Sequence, residues 1–420
     1  MKDVLIIEGG RPLQGQVQIS GAKNAGLVLM AASILADGET VLDNVPHIQD
    51  VDVMIELLED IGISTRRNED KSLSICPPPG NIKTETSYEL SKNLRASNLL
   101  LGSLLGRAHE IKLSMPGGCD IGARPMDLHI KGLQAMGIEV AVEQKGDDEY
   151  IYARAKKPKG ARVYLDFPSV GATENIMMLA SKTPGITIIE NAAKEPEIVD
   201  LANFLNSMGA KIRGTGTDLI KIEGVKELSP IRYAIIPDRI EAGTYMIAAS
   251  ITKGEVLIEN VIPTHLYPII AKLQETGAYI EEKGDRLFIR GNQKISSVDI
   301  KTLPYPGYPT DMQSPMMALL SLSDGASTVV ENVFENRFQI VEELNRMGAS
   351  IKVEGHIAII NGVKSLYGTQ VKATDLRAGA ALVIAALAAE GRTEIENAYH
   401  IFRGYEDIVI KLRQLGANVE

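Results

Sequence analysis

At 420 residues the chain is longer than one ordinary core requires, so two or more domains are expected. Apolar residues make up 45% of it and charged residues 23%, a balance that excludes disordered and fibrous classes. The formal net charge of −10 excludes the broad basic field that nucleic acid or an anionic membrane needs, so any bound anion must meet a local basic site.

Residues 1–13 lack the basic start, apolar run and small-residue cleavage site of a secretory leader. No stretch holds the roughly 18 uninterrupted apolar residues of a membrane span, so the expected compartment is the cytoplasm. Gly10 to Gly15 has the gap of a P-loop, but Gln16 stands where that loop needs lysine. No G-x-G-x-x-G opens a helix after a strand, and the six histidines are scattered without ligand spacing. Neither a metal nor a redox cofactor is expected. Next, Lys23 and Asn24 in SGAKNAG open an apolar helix. Gly38 then leads into a strand ending at Asn44, and a second helix ends in EDIGIS at Gly62.

That last phrase recurs as QAMGIEV, NSMGAKI, QETGAYI, NRMGASI and RQLGANV. Its glycines, Gly62, Gly137, Gly209, Gly277, Gly348 and Gly416, lie 68 to 75 residues apart, close to one sixth of the chain. Each marks a helix end where the backbone needs a left-handed residue before a strand. The upstream phrase recurs as Gly185 to Asn191, Gly254 to Asn260, Gly325 to Asn332 and Gly391 to Asn397, with a spacing of six or seven. The second unit lacks it and carries EIKLSMPGGCDIGARP instead. A broken repeat is where function is sought first.

In that phrase Cys119 sits among glycines, which allow close approach to a ligand, and Arg124 nearby would lower its thiol pKa. A loop of Gly and polar residues offers little apolar burial, so the alternative of a small core residue fits poorly. Cys76, beside three prolines, is read as structural. Two cysteines allow neither a disulfide framework nor a zinc site of the usual spacing.

Other helices open on a cation or amide, with Arg95 in KNLRASN, Arg239 in PDRIEAG and Asp375-Leu376-Arg377 in TDLRAGA. A helix N-terminus with an added cation is a local anion site, and recurrence at equivalent places points to a shared cleft. Helices such as TYMIAASITKG and GAALVIAALAAEG are apolar all round and must be buried, whereas ANFLNSMG and VEELNRMG are amphipathic. Proline and glycine interrupt the register at Asp166 to Ala172 and Val225 to Ile236. Two similar domains with helices inside and sheets outside are therefore expected in preference to a solenoid. Asp311, after PYPGYPT and before an apolar helix, reads equally as a helix cap and as a general base.

The segments ISGAKNA, LRAS, PGGCDIGARPMDLH, DFPSVGATENIMM, IPDRIEAGT, TLPYPGYPTDMQ, VFENRF, TDLRAGAAL and YHIFRGYE resemble the UDP-N-acetylglucosamine enolpyruvyltransferase family along nearly the whole chain. The shikimate-pathway enolpyruvyltransferases are similar in sixfold architecture but do not carry the PGGC loop. The resemblance implies an α/β fold of two inside-out α/β barrel domains, each of three βαβαββ-like repeats. The first domain is expected at 22–232, carrying the Cys119 loop, and the second at 1–21 plus 233–420, with the active site in the interdomain cleft. It implies phosphoenolpyruvate and UDP-N-acetylglucosamine as substrates, no cofactor, and no nucleic-acid or membrane partner.

Carried over residue by residue, Lys23 and Asn24 look like the phosphoenolpyruvate anchor, helped by Arg124 and Arg403. Arg95, the stretch Arg124, Pro125, Met126, Asp127 and Leu128, Ser169, Val170 and Val333 look like nucleotide-sugar contacts. Asp311 looks like the base for the sugar hydroxyl, and Cys119 like the acid for the methylene carbon. Arg337, Asp375 and Arg377 match site-lining positions. A cysteine at position 119 further implies sensitivity to fosfomycin. Three other readings compete: a shikimate-type transferase, a non-catalytic paralogue that binds the nucleotide sugar, and a repeat scaffold.

Overall fold

The computed structural model describes residues 4–80, 82–93, 95–114, 126–145 and 148–420, and at Lys92, Asn93, Arg95, Lys145 and Asp148 the backbone alone. The described residues form two compact units. One is built from residues 4–20 with Pro237–Glu420, the other from Gly21 through Ile236.

Local chemistry sets where elements stop. The six recurrent glycines all take φ between 81° and 110°, which lets each helix end without a Cβ clash and turn into the following strand. At the strand ends Asn44, Asn191, Asn260 and Asn397 take φ of 55° to 58°, a region asparagine tolerates better than most side chains. Three of their amides also close the turn. Asn44 Nδ2 donates to Ile235 O at 2.9 Å, Asn191 Nδ2 to Leu165 O at 2.8 Å and Asn260 Nδ2 to Ile19 O at 2.7 Å.

In the unit holding Pro237–Glu420, three sheets share one strand order. Gln14–Gln18 runs parallel to Glu255–Glu259, which pairs antiparallel with Arg286–Arg290, itself paired with Tyr279–Glu282. The same order holds for Ile300–Lys301, Ala326–Val330, Ile357–Asn361 and Ser350–Glu354. It holds again for Gln370–Lys372, Arg392–Glu396, Val4–Glu8 and Asn418–Val419. Inward residues such as Val256 and Ile258 are fully buried while the alternate ones are not, as a sheet with one covered face requires. The covering layer is the three helices Arg239–Ile251, Gln313–Leu320 and Leu376–Ala388, which pack on one another. All eight residues of Gln313–Leu320 are buried.

The unit from Gly21 to Ile236 repeats the plan around the helices Lys23–Ala32, Leu100–Ala108 and Val170–Lys182. Two of its sheets have four strands. In the first, Arg232–Ala234 runs parallel to Thr40–Asp43, followed by Leu73–Cys76 and Ser64–Arg67. In the second, Arg162–Tyr164 runs parallel to Ile186–Glu190, followed by Leu219–Glu223 and Lys211–Arg213. The third has three, Glu110–Ser114, Asp148–Arg154 and Glu139–Lys145. It belongs to the repeat that lacks the glycine-to-asparagine phrase.

One expectation is corrected. The inside-out α/β barrels are not formed: among the described residues the sheets have four, four, four, four, four and three strands, and none is closed. Each ends on two edge strands that do not pair with each other. A ring of four strands is also too tight to enclose side chains, so the helices provide the cover that closure would have supplied. The fold is α/β with open, mixed sheets.

Candidate active site

In the unit holding Pro237–Glu420 the structure gathers a charged cluster from three sequence-distant segments. Asp311 lies in a short 3-10 turn, Thr310–Met312, just ahead of the buried helix Gln313–Leu320. Arg337 Nη2 donates to Asp311 Oδ1 at 2.8 Å, and Arg377 Nε donates to Oδ2 at 3.2 Å. The two arginine side chains are 2% and 5% exposed whereas Asp311 is 26% exposed, so the carboxylate is the part of the cluster that solvent or substrate meets. No side-chain cap bond is made at the start of either the turn or the helix. The ion pairs with both arginines, rather than helix capping, account for where Asp311 is held.

Helix geometry places Arg377. Asp375 caps the helix Leu376–Ala388 by accepting from Arg377 N at 2.9 Å and Ala378 N at 3.0 Å. The Arg377 guanidinium then lies 5.4 Å from the centroid of the Tyr405 ring, whose hydroxyl shares a 2.9 Å hydrogen bond with Thr244 Oγ1. Arg337 is oriented by Thr310, whose Oγ1 accepts from Nη1 at 2.8 Å, and stands 5.2 Å from the Phe334 ring centroid. Val333 is half-buried beside it. Arg403 follows the short helix Tyr399–Phe402 as its C-cap. Thr310, Tyr405 and the buried Glu331 belong to this cluster but were not picked out from sequence. The one sequence signal for Glu331 is the seven-residue spacing from Gly325 to Asn332.

In the unit from Gly21 to Ile236, Lys23 is the first residue of its helix, and its Nζ donates to the buried Asp50 Oδ2 at 3.1 Å. Asn24 beside it is exposed. Ser169 caps the helix Val170–Lys182 through Ala172 N at 3.3 Å. Met126 is buried at the start of the helix Asp127–Ala135, with Asp127 exposed and Leu128 half-buried in its first turn. Asn175 joins these two starts. It donates to Gly171 O at 3.2 Å and lies 3.0 Å from His129 Nδ1, while its Oδ1 accepts from Gly102 N at 2.6 Å. At the preceding residue of the same helix, burial above all, then Glu197 and Glu195, holds the Glu174 carboxyl well above the ordinary carboxylate range.

Cys119, Arg124 and Pro125 lie outside the described residues, as does the side chain of Arg95. Cys76 ends the strand Leu73–Cys76 and is half-buried. Among the described residues no group of three His, Cys, Asp or Glu side chains gathers as metal ligands would.

Taken together, the cluster pairs a partly exposed carboxylate with two buried, permanently charged guanidiniums. That arrangement can accept a proton from a hydroxyl while stabilising nearby negative charge. The sequence model for EPSP synthase (3-phosphoshikimate 1-carboxyvinyltransferase) matches residues 7–412. The chain is 55% identical over 419 residues to UDP-N-acetylglucosamine 1-carboxyvinyltransferase 1 of Caldanaerobacter subterraneus subsp. tengcongensis, covering 100% of this chain and 99% of that one. It is 54% identical over 417 residues to UDP-N-acetylglucosamine 1-carboxyvinyltransferase 2 of Carboxydothermus hydrogenoformans, covering 99% and 98%. Its fold is similar to that of the enolpyruvyl transferase NikO from Streptomyces tendae, with a TM-score of 0.88 at 24% identity, covering 99% and 98% of the two chains. The chain belongs to the EPSP synthase family and, within it, to the UDP-N-acetylglucosamine 1-carboxyvinyltransferases.

Proposed function

We propose that this enzyme transfers the enolpyruvyl group of phosphoenolpyruvate to the 3'-hydroxyl of UDP-N-acetylglucosamine and releases phosphate, the first committed step of peptidoglycan precursor synthesis. The observation that carries the reading is the end-to-end identity of 55% with a relative of that name. Among the described residues no helix is long and apolar enough to cross a membrane, and we place the reaction in the cytoplasm.

The chemistry has two halves. The sugar oxygen attacks the central carbon of phosphoenolpyruvate while the methylene carbon gains a proton, giving a tetrahedral ketal. Loss of phosphate and of a methyl proton then restores the double bond. Asp311 takes the hydroxyl proton in the first half and Cys119 supplies the proton to carbon. Lys23, Arg124 and Arg403 meet the carboxylate and phosphate charges and stabilise the leaving group. Arg95, Ser169, Val170, Val333 and the run from Arg124 to Leu128 hold the nucleotide sugar.

The test is phosphate release from phosphoenolpyruvate with UDP-N-acetylglucosamine, run beside shikimate 3-phosphate, each with and without fosfomycin. Release that needs the nucleotide sugar and is abolished by fosfomycin is the expected result. Release with shikimate 3-phosphate, or none despite measurable nucleotide-sugar binding, overturns the assignment.

A further inference from the structure

Among the five repeats that carry the glycine-to-asparagine phrase, the fifth departs from the other four by one residue, and the departure lies in the Asp311 cluster. Asparagine stands six positions after glycine in Gly38 to Asn44, Gly185 to Asn191, Gly254 to Asn260 and Gly391 to Asn397, but seven positions after it in Gly325 to Asn332. The pairing shows where the extra residue sits. Gly362 N donates to Gly325 O as Gly224 N does to Gly185 O, and Val330 pairs with Ile357 as Glu190 does with Leu219. The two strands are therefore in step through Val330, and Glu331 occupies the place of Asn191.

There the paths diverge. Asn191 is left-handed, whereas neither Glu331 nor Asn332 is. Glu331 continues the strand instead, donating its N–H to His356 O at 2.9 Å. Asn332 still closes the turn, with Nδ2 donating to Thr302 O at 3.0 Å, as Asn191 does to Leu165 O. The added residue leaves the turn intact and inserts one carboxylate.

That carboxylate is 2% exposed and well supplied with donors. Oε1 accepts from Thr302 Oγ1 at 2.8 Å, Val333 N at 2.8 Å and Phe334 N at 3.1 Å. Oε2 accepts from Thr310 Oγ1 at 2.9 Å, the same oxygen that accepts from Arg337 Nη1. A buried charge satisfied only by neutral donors is costly unless something else requires it, and a turn that three sister repeats close with an asparagine amide does not require it.

We propose that Glu331 is a positioning residue for the transfer reaction. It acts through Thr310 on Arg337 and Asp311, and through the Val333–Phe334 backbone on the nucleotide sugar. The inference rests on the function proposed above.

The experiment begins with wild-type phosphate release, because its absence would sink the functional reading rather than this inference. Glu331→Gln is then compared at equal folded concentration. The KM for UDP-N-acetylglucosamine should rise about tenfold while that for phosphoenolpyruvate stays within about twofold, the magnitude expected for misplacing one or two hydrogen bonds. A variant with wild-type KM values for both substrates overturns the proposal, whatever its stability. If Glu331→Gln does not fold, Thr310→Val and Thr310→Ser test the same link. Valine should lower kcat about tenfold with serine within about threefold of wild type, and equal effects of the two overturn it.

Discussion

Lys411 Nζ lies 2.6 Å from Glu241 Oε1, and the two side chains are 13% and 3% exposed. Ser20 N donates to the other Glu241 oxygen at 2.8 Å, and Lys411 also reaches Ser20 Oγ at 2.7 Å. Burial nonetheless dominates and pushes the Glu241 carboxyl up to about 6, with Lys411 pulling the other way. The folded-state value is thus above the unfolded one. The protonated carboxyl favours folding below the unfolded value, and that contribution is lost as pH rises through about 6. Lys411→Met strands the carboxylate and should cost about 3 kcal/mol at pH 8. At pH 5, where the carboxyl can protonate, the cost should shrink, and adding Glu241→Gln should recover most of it. Urea melts of the three proteins at both pH values check this. An equal loss at pH 5 and pH 8 would show that the pair does not act through charge.

Asp200 offers a second, independent pH test. Burial raises its carboxyl to about 6, while the Tyr233 hydroxyl, donating at 2.7 Å, works to lower it. Ionised Asp200 therefore opposes folding as pH rises through that value, and Tyr233 limits the opposition. Tyr233→Phe should destabilise by about 1–2 kcal/mol at pH 8 and by less at pH 5. A loss that stays constant with pH would assign the effect to the hydroxyl's hydrogen bond as such and not to the charge on Asp200, since phenylalanine keeps the ring that packs 5.4 Å from Phe204.

At the Asp311 cluster the prediction concerns rate more than binding. Asp311→Asn keeps the side-chain volume but removes the proton acceptor, and phosphate release should fall about a hundredfold or more. Nucleotide-sugar binding, followed by calorimetry, should change far less. Arg337→Lys keeps one charge but cannot reach Thr310 and Asp311 together as the planar guanidinium does, so kcat should fall about tenfold. Full activity in Asp311→Asn would remove this residue from the mechanism.

Local backbone chemistry was legible because it is written in single residues: Gly62 and its five equivalents announce left-handed turns without any knowledge of the fold. Buried helices were legible for the same reason, since Leu376–Ala388 has no polar face to expose. Sheet closure was not, because whether edge strands pair is decided by strand number and helix cover, neither of which a strand's own residues record. At the cluster, Asp311 and Arg377 stood out by their place before apolar helices. Glu331 did not, because a glutamate at the end of a strand reads as one that reaches out to an exposed cation, as the half-buried Glu190 and Glu259 do to their arginine partners. What turns it inward is one added residue, recorded in the sequence only as the longer spacing from Gly325 to Asn332 and located at Glu331 once the strands are paired.

Two glycines separate conformational need from close packing. Gly62 ends its helix at φ 91°, and a Cβ there would meet nothing within 4 Å. Gly62→Ala therefore carries only the left-handed penalty, about 1–2 kcal/mol, and Gly62→Asn should cost less because asparagine tolerates that region. Gly102 has an ordinary helical φ but lies where its helix crosses Val170–Lys182. A Cβ there would stand 2.3 Å from Asn175 O and 2.7 Å from Asn175 Cα, both backbone atoms that cannot swing aside. The same approach lets Asn175 Oδ1 accept from Gly102 N. Gly102→Ala must separate the two helices and should cost about 3 kcal/mol, and asparagine there should be worse still. Urea midpoints at unchanged slope would rank the four variants, with the order alanine above or below asparagine reversed between the two sites. The same order at both sites would mean that one mechanism governs both glycines.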